Sequence, residues 1–194
     1  MGHGGTLDVF ACGVVLLLLG EATKHFDELL KLKKTYLAGV RLGVGSTTLD
    51  IEGDFEKGDS ESRLEISQIR EALNAFKGQI LQSVPAYSAA KYSGKPLYKY
   101  ARNGTEINKS KLVTIYALDI ISCKQPLVTL LVECSSGTYV RQLTCDIFSS
   151  LSQKSLLYFL ERVKVGNVDV NMCIRTTNPA VNWKSHLLEI TDVL

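Results

Sequence analysis

The sequence predicts an α+β fold. Segments that alternate apolar and polar residues, or that hold short apolar runs, are mixed with segments at helical spacing. The two kinds do not follow one another in a regular βαβ rhythm. The chain has 194 residues, 45% of them hydrophobic and 22% charged, which suits one sizeable core or two small ones in a globular protein. Neither an internal repeat nor a low-complexity linker interrupts it.

From the N-terminus, Gly13 and Gly20 bracket VVLLLL at 14–19, and a short apolar run between glycines reads as a strand buried on both faces. In EATKHFDELLKL, Phe26, Leu29, Leu30 and Lys33 lie at helical spacing, so a short helix is expected from about Thr23, its N-cap. KTYLAGVRLG at 34–43 alternates and is rich in Tyr, Val and Leu, which predicts a strand. Seven acids between 50 and 65 (Asp50, Glu52, Asp54, Glu56, Asp59, Glu61 and Glu65) face only Lys57 and Arg63, the pattern of a solvated loop. Ser67 is then expected to cap a helix with the apolar stripe Ile69, Leu73, Phe76 and Ile80, although Gly78 would normally stop it near Lys77.

Residues 87–111 change character. Lys91, Lys95, Lys99, Arg102, Lys109 and Lys111 face a single acid, Glu106, and Tyr87, Tyr92, Tyr98 and Tyr100 are interleaved with them. Cations suit phosphates and aromatic rings suit stacked bases, but a surface hairpin or helix with snorkelling side chains has the same composition. KLVTIYALDIIS at 111–122 and PLVTLLVEC at 126–134 read as two strands. Val140, Leu143, Ile147 and Leu151 mark an amphipathic helix, with Tyr139 and Arg141 near its start and off the stripe. SLLYFLERVKVG at 155–166 is apolar and then basic, and its end reads as a strand.

Several function classes are disfavoured. The cysteines Cys12, Cys123, Cys134, Cys145 and Cys173 are odd in number, scattered, and form no CxxC pair. That speaks against a zinc site or a disulfide framework and suits an intracellular, reducing compartment. His3, His25 and His186 are equally scattered, so no metal is expected. The longest apolar run falls far short of the roughly 20 residues of a membrane span, and no signal-peptide pattern follows Met1. A net charge of +2 announces no nucleic-acid partner by itself.

Three features lie off the core pattern: Asp8 in the glycine-flanked loop GHGGTLDVFACG with His3 before it, Tyr36 in its strand, and the pair Tyr139 and Arg141 beside a helix N-terminus. A loop carboxylate held by an arginine offers a nucleophile or a general base. Each has a plainer reading: an Asx-turn for Asp8, a strand aromatic for Tyr36, a surface ion pair for Arg141.

Taken together, these motifs resemble the TruB family of pseudouridine synthases, which isomerise a uridine in the T-loop of tRNA. GHGGTLD (2–8) is similar to the family's catalytic loop, and GEATK (20–24), KTY (34–36) and RLG (41–43) follow in the family's order. TLDIEG (48–53) resembles its TDTxDxxG segment, and LQSVPAYSAAKYSGKPLYKYARNG (81–104) its Q-x-PPxYSAxKxxGxxxYxxAR-x-G stretch. SSGTYVRQL (135–143) and FLERVKVG (159–166) resemble its GTYIRxL and LRRTxxG segments. Eight motifs in order, spread over residues 2 to 166, make the match specific.

The resemblance implies a mixed, mainly antiparallel sheet with flanking helices. It implies that Asp8 is the catalytic aspartate, that Tyr36 stacks on the flipped base, and that Arg141 pairs with Asp8. It makes Tyr139 and Leu160 walls of the site, and His3 the residue that fills the space vacated in the RNA stack. Lys91, Lys95, Tyr98 and Arg102 become expected RNA contacts. The reaction detaches uracil from C1′, turns it and reattaches it through C5, without net redox change, metal or external cofactor. A carboxylate can attack uracil C6 or ribose C1′ or abstract a proton, and the sequence leaves these open. The implied partner is the T-arm of tRNA, bound by a monomer without a membrane.

The chain departs from the family pattern at Val9, where a proline is usual, at Ser83 and Val84 in LQSVPAY, and at Glu161, where an arginine is usual. The match begins at the catalytic loop. The expectation is therefore a catalytic domain over 1–173 without the family's N-terminal strand, less stable and less active than a chain that has it, followed by a tail at 174–194 instead of a full RNA-binding domain. The alternative on the same scaffold is a non-catalytic tRNA-binding or tRNA-folding protein.

Overall fold

The computed structural model describes residues 1–58, 63–105, 107–177 and 182–194, so Asp59, Glu61 and Glu106 of the charge patterns above lie outside the described residues. In chain order the short strands β1 (Gly2–His3), β2 (Cys12–Gly13) and β3 (Leu17–Leu18) precede helix α1 (Phe26–Lys31) and the long strand β4 (Lys34–Leu42). Then come β5 (Val44–Ser46), β6 (Phe55–Lys57), α2 (Ile66–Ala75) and β7 (Gly78–Ser83), followed by β8 (Lys91–Tyr92), β9 (Lys95–Pro96) and α3 (Leu97–Arg102). The second half holds β10 (Ser110–Lys124), β11 (Leu127–Cys134), α4 (Val140–Ser150), β12 (Ser155–Val165), β13 (Val168–Asp169) and α5 (Ile190–Val193).

The central sheet has the order β13-β12-β4-β11-β10-β7, and every neighbour along it is antiparallel. β2 adds to β12 in parallel, which makes the sheet mixed. Ala38 and Val40 of β4 and Val128, Leu130 and Val132 of β11 point to one face, where Ile69 and Leu73 of α2 and Leu143, Ile147 and Phe148 of α4 cover them. All ten are buried to 2% exposure or less. Burying an aliphatic or aromatic side chain of this size stabilises by about 1.5–3 kcal/mol, so this layer holds the sheet and helices together. A second cluster of Val14, Leu18, Leu29, Val165, Val168 and Val193 sits under the N-terminal segment and ties part of the 174–194 stretch to the body.

The strands predicted at 34–43, 111–122 and 126–134 and the helix with the Val140–Leu143–Ile147 stripe are found. Other expectations are corrected. VVLLLL is not a doubly buried strand: only Leu17 and Leu18 pair, with β1, and Val15, Leu17 and Leu19 face solvent because the segment runs along the edge of the second cluster. Thr23 is not a helix N-cap. It lies inside a 3₁₀ turn, Gly20–His25, and its hydroxyl donates to the Gly20 carbonyl at 2.7 Å. α2 is capped by Glu65, not Ser67, in a capping box with Gln68, and it stops at Ala75, so Ile80 belongs to β7. Residues 155–165 are strand throughout.

Candidate active site

The site forms where β4 begins, β11 ends and α4 starts. The segment from β11 into α4 places Tyr139 at the N-cap and Arg141 in the first turn. Arg141 is only 5% exposed, because its side chain turns inward instead of following the helix surface. Its Nε donates to Asp8 Oδ2 at 2.9 Å and its Nη2 to Asp8 Oδ1 at 3.2 Å, a two-pronged grip on one carboxylate. Nη1 donates to the Thr48 carbonyl at 2.8 Å and lies 3.0 Å from Asp50 Oδ2, and Nη2 also reaches the Tyr87 carbonyl at 3.3 Å. One guanidinium therefore joins Asp8, the 48–50 turn and the start of the basic, tyrosine-rich stretch.

Asp8 sits in a turn closed by the Ala11 amide, which donates to the Asp8 carbonyl at 3.0 Å. Its side chain is 40% exposed, so one side faces Arg141 and the other remains reachable from solvent. Asp50 has the opposite setting, with a side chain only 4% exposed. It is not part of a solvated loop, as its acidic neighbours suggested. Its Oδ1 accepts from the Thr48 hydroxyl at 2.5 Å and the Glu52 amide at 2.9 Å, and the preceding Leu49 carbonyl accepts from Leu157 of β12 at 3.0 Å. Gly53 closes this turn at close quarters: a Cβ there would lie 2.5 Å from Thr48 Oγ1.

Tyr36 projects from β4 toward the helix-covered face, with Arg162 of β12 as its cross-strand neighbour. Burial pushes its phenol up to about 12, partly offset by the nearby charge of Arg162. Leu160 lies one strand position pair away, opposite Ala38, and is buried in the main core. Tyr139 is half-buried, and the side chain of Gln82 grips its backbone from both ends: Tyr139 N donates to Oε1 at 2.8 Å, and Nε2 donates to the Tyr139 carbonyl at 3.0 Å. His3 is exposed on the β1–β3 ribbon opposite Leu17, outside the central sheet.

Lys91 and Lys95 are exposed on the β8–β9 hairpin, which leads directly into α3. Tyr98 and Arg102 lie on α3, and the Arg102 guanidinium carbon stands 5.5 Å from the Tyr98 ring centre. Tyr92 and Tyr100 pack edge to face at 5.9 Å. Among the described residues, no cluster of three or more His, Cys, Asp or Glu side chains is placed to hold a metal ion. No described helix is long and apolar enough to cross a membrane.

The structure thus brings together Asp8, Arg141, Tyr36 and Tyr139 and leaves His3 and the hairpin cations at the periphery. Sequence reasoning missed Asp50, Gln82 and Arg162. Asp50 carried a usable signal in TLDIEG, where threonine two residues before an aspartate and glycine three after mark a tight Asx-type turn, not a random acidic run. Gln82 and Arg162 stand within the segments similar to Q-x-PPxYSA and LRRTxxG, but a lone amide or cation in a strand gives no hint that it is buried.

The same arrangement of sheet and helices recurs in solved structures. A chain of a Cbf5–Nop10–Gar1 complex matches with a TM-score of 0.70 at 22% identity, over 98% of this chain and 49% of that one. A chain of an H/ACA ribonucleoprotein bound to a substrate RNA containing 2′-deoxyuridine matches with a TM-score of 0.66 at 21% identity, over 98% and 48%. At these identities the likeness is one of fold, the mixed and mainly antiparallel α+β fold of pseudouridine synthases. The model of the TruB family pseudouridylate synthase N-terminal domain matches residues 1–140, and the chain belongs to that family. The tRNA pseudouridine synthase B of Burkholderia mallei is 48% identical over 166 residues, covering 85% of this chain and 55% of that protein. Its namesakes from Caldicellulosiruptor saccharolyticus (42%, 88% of this chain, 59% of that protein) and Parabacteroides distasonis (37%, 90% and 74%) are also similar. The chain spans little more than half the length of the Burkholderia and Caldicellulosiruptor relatives.

Proposed function

We propose that this chain carries the catalytic domain, over 1–173, of an enzyme that isomerises a uridine in the T-loop of tRNA to pseudouridine, with Asp8 as the catalytic carboxylate. The observation that carries the reading is the two-pronged grip of buried Arg141 on a carboxylate that stays 40% exposed. A purely structural ion pair has no need to leave one partner open beside a tyrosine and a helix start.

The geometry supports a division of labour. A base inside a folded RNA loop must leave its stack before its glycosidic bond is reachable, at a cost of a few kcal/mol. Stacking on an aromatic ring recovers on the order of 1–3 kcal/mol per base. Tyr36 is the stacking ring in this reading, Tyr139 and Leu160 are the walls, and His3 fills the vacated place in the RNA. Lys91, Lys95, Tyr98 and Arg102 then meet the RNA outside the pocket, where exposed cations and rings suit phosphates and bases. The chemistry breaks C1′–N1 and forms C1′–C5. N1 gains a proton and C5 loses one, so uracil labelled with tritium at C5 releases it to water.

The test is tritium release from tRNA labelled at uridine C5, comparing the chain with Asp8→Asn. Release by the parent and none by the variant, at equal tRNA affinity, is the expected result. Release by Asp8→Asn at the parent's rate would exclude Asp8 as the catalytic group, and binding without turnover in both forms would leave a tRNA-binding protein.

A further inference from the structure

Arg162 is fully buried, 2% exposed, and the family reading gives it no task. Its positive charge is met, among the described residues, by backbone oxygens instead of a carboxylate. Nε donates to the Val14 carbonyl at 2.7 Å, Nη1 to the Thr6 carbonyl at 3.3 Å, and Nη2 to the Gly5 carbonyl at 3.1 Å. Two of these acceptors precede Asp8 and the third follows it. The backbone of Arg162 completes the hold: it pairs in parallel with Gly13, and its carbonyl accepts from the Val14 amide at 2.8 Å. The approach is so close that a Cβ on Gly13 would stand 2.3 Å from the Arg162 carbonyl oxygen.

A buried guanidinium is expensive to desolvate, and a neutral side chain of similar shape would fill the same space at lower cost. What only arginine offers is a rigid planar fork that reaches three acceptors in fixed directions. Here the three acceptors are the two stems of one loop, and Asp8 is at that loop's tip. Tyr36 is the cross-strand neighbour of Arg162, and the charge of the same guanidinium acts on its hydroxyl. Asp8 and Tyr36 are therefore referenced to one group, which sits on the central sheet.

We infer that Arg162 is a positioning residue for Asp8: by holding both stems of the 5–14 loop it fixes where the carboxylate stands relative to the Tyr36 ring, while Arg141 fixes only how the carboxylate is turned. This inference rests on the pseudouridine synthase reading. A misplacement of about 1 Å costs on the order of 100-fold in rate when the reacting groups are otherwise intact. Arg162→Met keeps the bulk and removes all three donors, so its single-turnover rate falls on the order of 100-fold. Arg162→Lys restores the charge and at most part of the hydrogen bonding, so its rate lies between.

The experiment uses the 194-residue chain and both variants, with three readouts: single-turnover tritium release from C5-labelled tRNA, tRNA affinity, and amide hydrogen exchange of residues 4–14. The expected result is faster exchange in the loop, slower turnover in the order parent, Lys, Met, and an affinity within about twofold of the parent, the span a residue without RNA contacts leaves unchanged. Unchanged loop exchange in both variants overturns the inference, and so does faster exchange with an unchanged rate, or a rate loss matched by lost affinity. If Met does not fold, Lys decides by the same criteria. If neither folds, Arg162 is a folding determinant and the inference falls. A parent that releases no tritium removes the functional reading alone, and loop exchange then judges whether Arg162 holds the loop.

Discussion

Asp8 and Asp50 share one arginine but stand in different surroundings, and this predicts that neutralising them has opposite consequences. In Asp50→Asn the side-chain oxygen can keep the hydrogen bonds from Thr48 and the Glu52 amide, but the charge 3.0 Å from Arg141 Nη1 is gone. Breaking a buried ion pair costs about 3–5 kcal/mol; because Arg141 retains Asp8 and the amide retains its acceptor, about 2–3 kcal/mol is expected here. For a domain of this size each kcal/mol moves Tm by about 2–4 °C, so Asp50→Asn melts roughly 4–12 °C lower. In Asp8→Asn the lost charge is 40% exposed, Arg141 keeps Asp50, and the cost is about 0–1 kcal/mol. Turnover runs the other way. Asp8→Asn abolishes tritium release, whereas Asp50→Asn, which only loosens the seat of Arg141, slows it by about 10- to 100-fold. Thermal melts and single-turnover assays on the two variants decide it. A Tm loss in Asp8→Asn equal to or larger than that in Asp50→Asn refutes the reasoning, because it would mean that the exposed carboxylate supports the fold.

How much of this was legible in the sequence follows from what each feature depends on. β4, β10 and β11 could be read because their alternation is imposed by a sheet with one covered face, and α4 because Val140, Leu143 and Ile147 repeat at helical spacing. The 14–19 run misled because apolar content says nothing about edges: Leu18 is buried, while Leu17 beside it is 64% exposed at the margin of the second cluster. The caps were misplaced by a few residues because Ser67 and Thr23 satisfy the same rules as the true boundary, and only the backbone decides between them. Asp8, Arg141, Tyr36 and Tyr139 were named through motif order. What brings them together is tertiary: the turn at Asp50, the amide of Gln82 and the guanidinium of Arg162 come from three separate elements, and although TLDIEG marks the turn, no local pattern shows which of these groups is buried or what it holds. A buried polar group is defined by its partners, so it is legible only once the partners are in place.

Gln82→Leu removes both hydrogen bonds to the Tyr139 backbone; the carbonyl keeps the Leu143 amide but the N–H is left unpaired, which costs about 1–3 kcal/mol, and a melt within 1 °C of the parent would rule this out. Replacing Lys91 and Lys95 by Glu weakens tRNA binding and lowers the magnitude of its salt slope by about 1–2, since each phosphate contact contributes about 0.9 to that slope; an unchanged slope removes these residues from the interface. Lys34 gives a prediction in pH. Burial, reinforced by the nearby charge of Arg162, lowers its ammonium from the ordinary 10.5 to about 8, although it donates to the Leu30 and Leu32 carbonyls at 2.6 and 2.7 Å. Between pH 8 and 10.5 the unfolded chain therefore still holds a proton that the folded chain has released, and this group makes stability rise with pH. Cys134 and Tyr36 act in the opposite sense at higher pH, because burial raises their folded values to about 11 and 12. Subtracting the Lys34→Met stability curve from the parent's cancels Tyr36 and the constant loss of the carbonyl hydrogen bonds; Cys134, whose thiol the Lys34 charge lowers, is raised further in the variant and so stays protonated in the fold below pH 10 in both forms. The difference is expected to climb from pH 8 to 10, measured by urea denaturation at each pH. A flat difference would mean that Lys34 keeps its proton in the folded protein as readily as in the unfolded chain, and the buried pair of cations at the base of β4 would then carry no linkage at all.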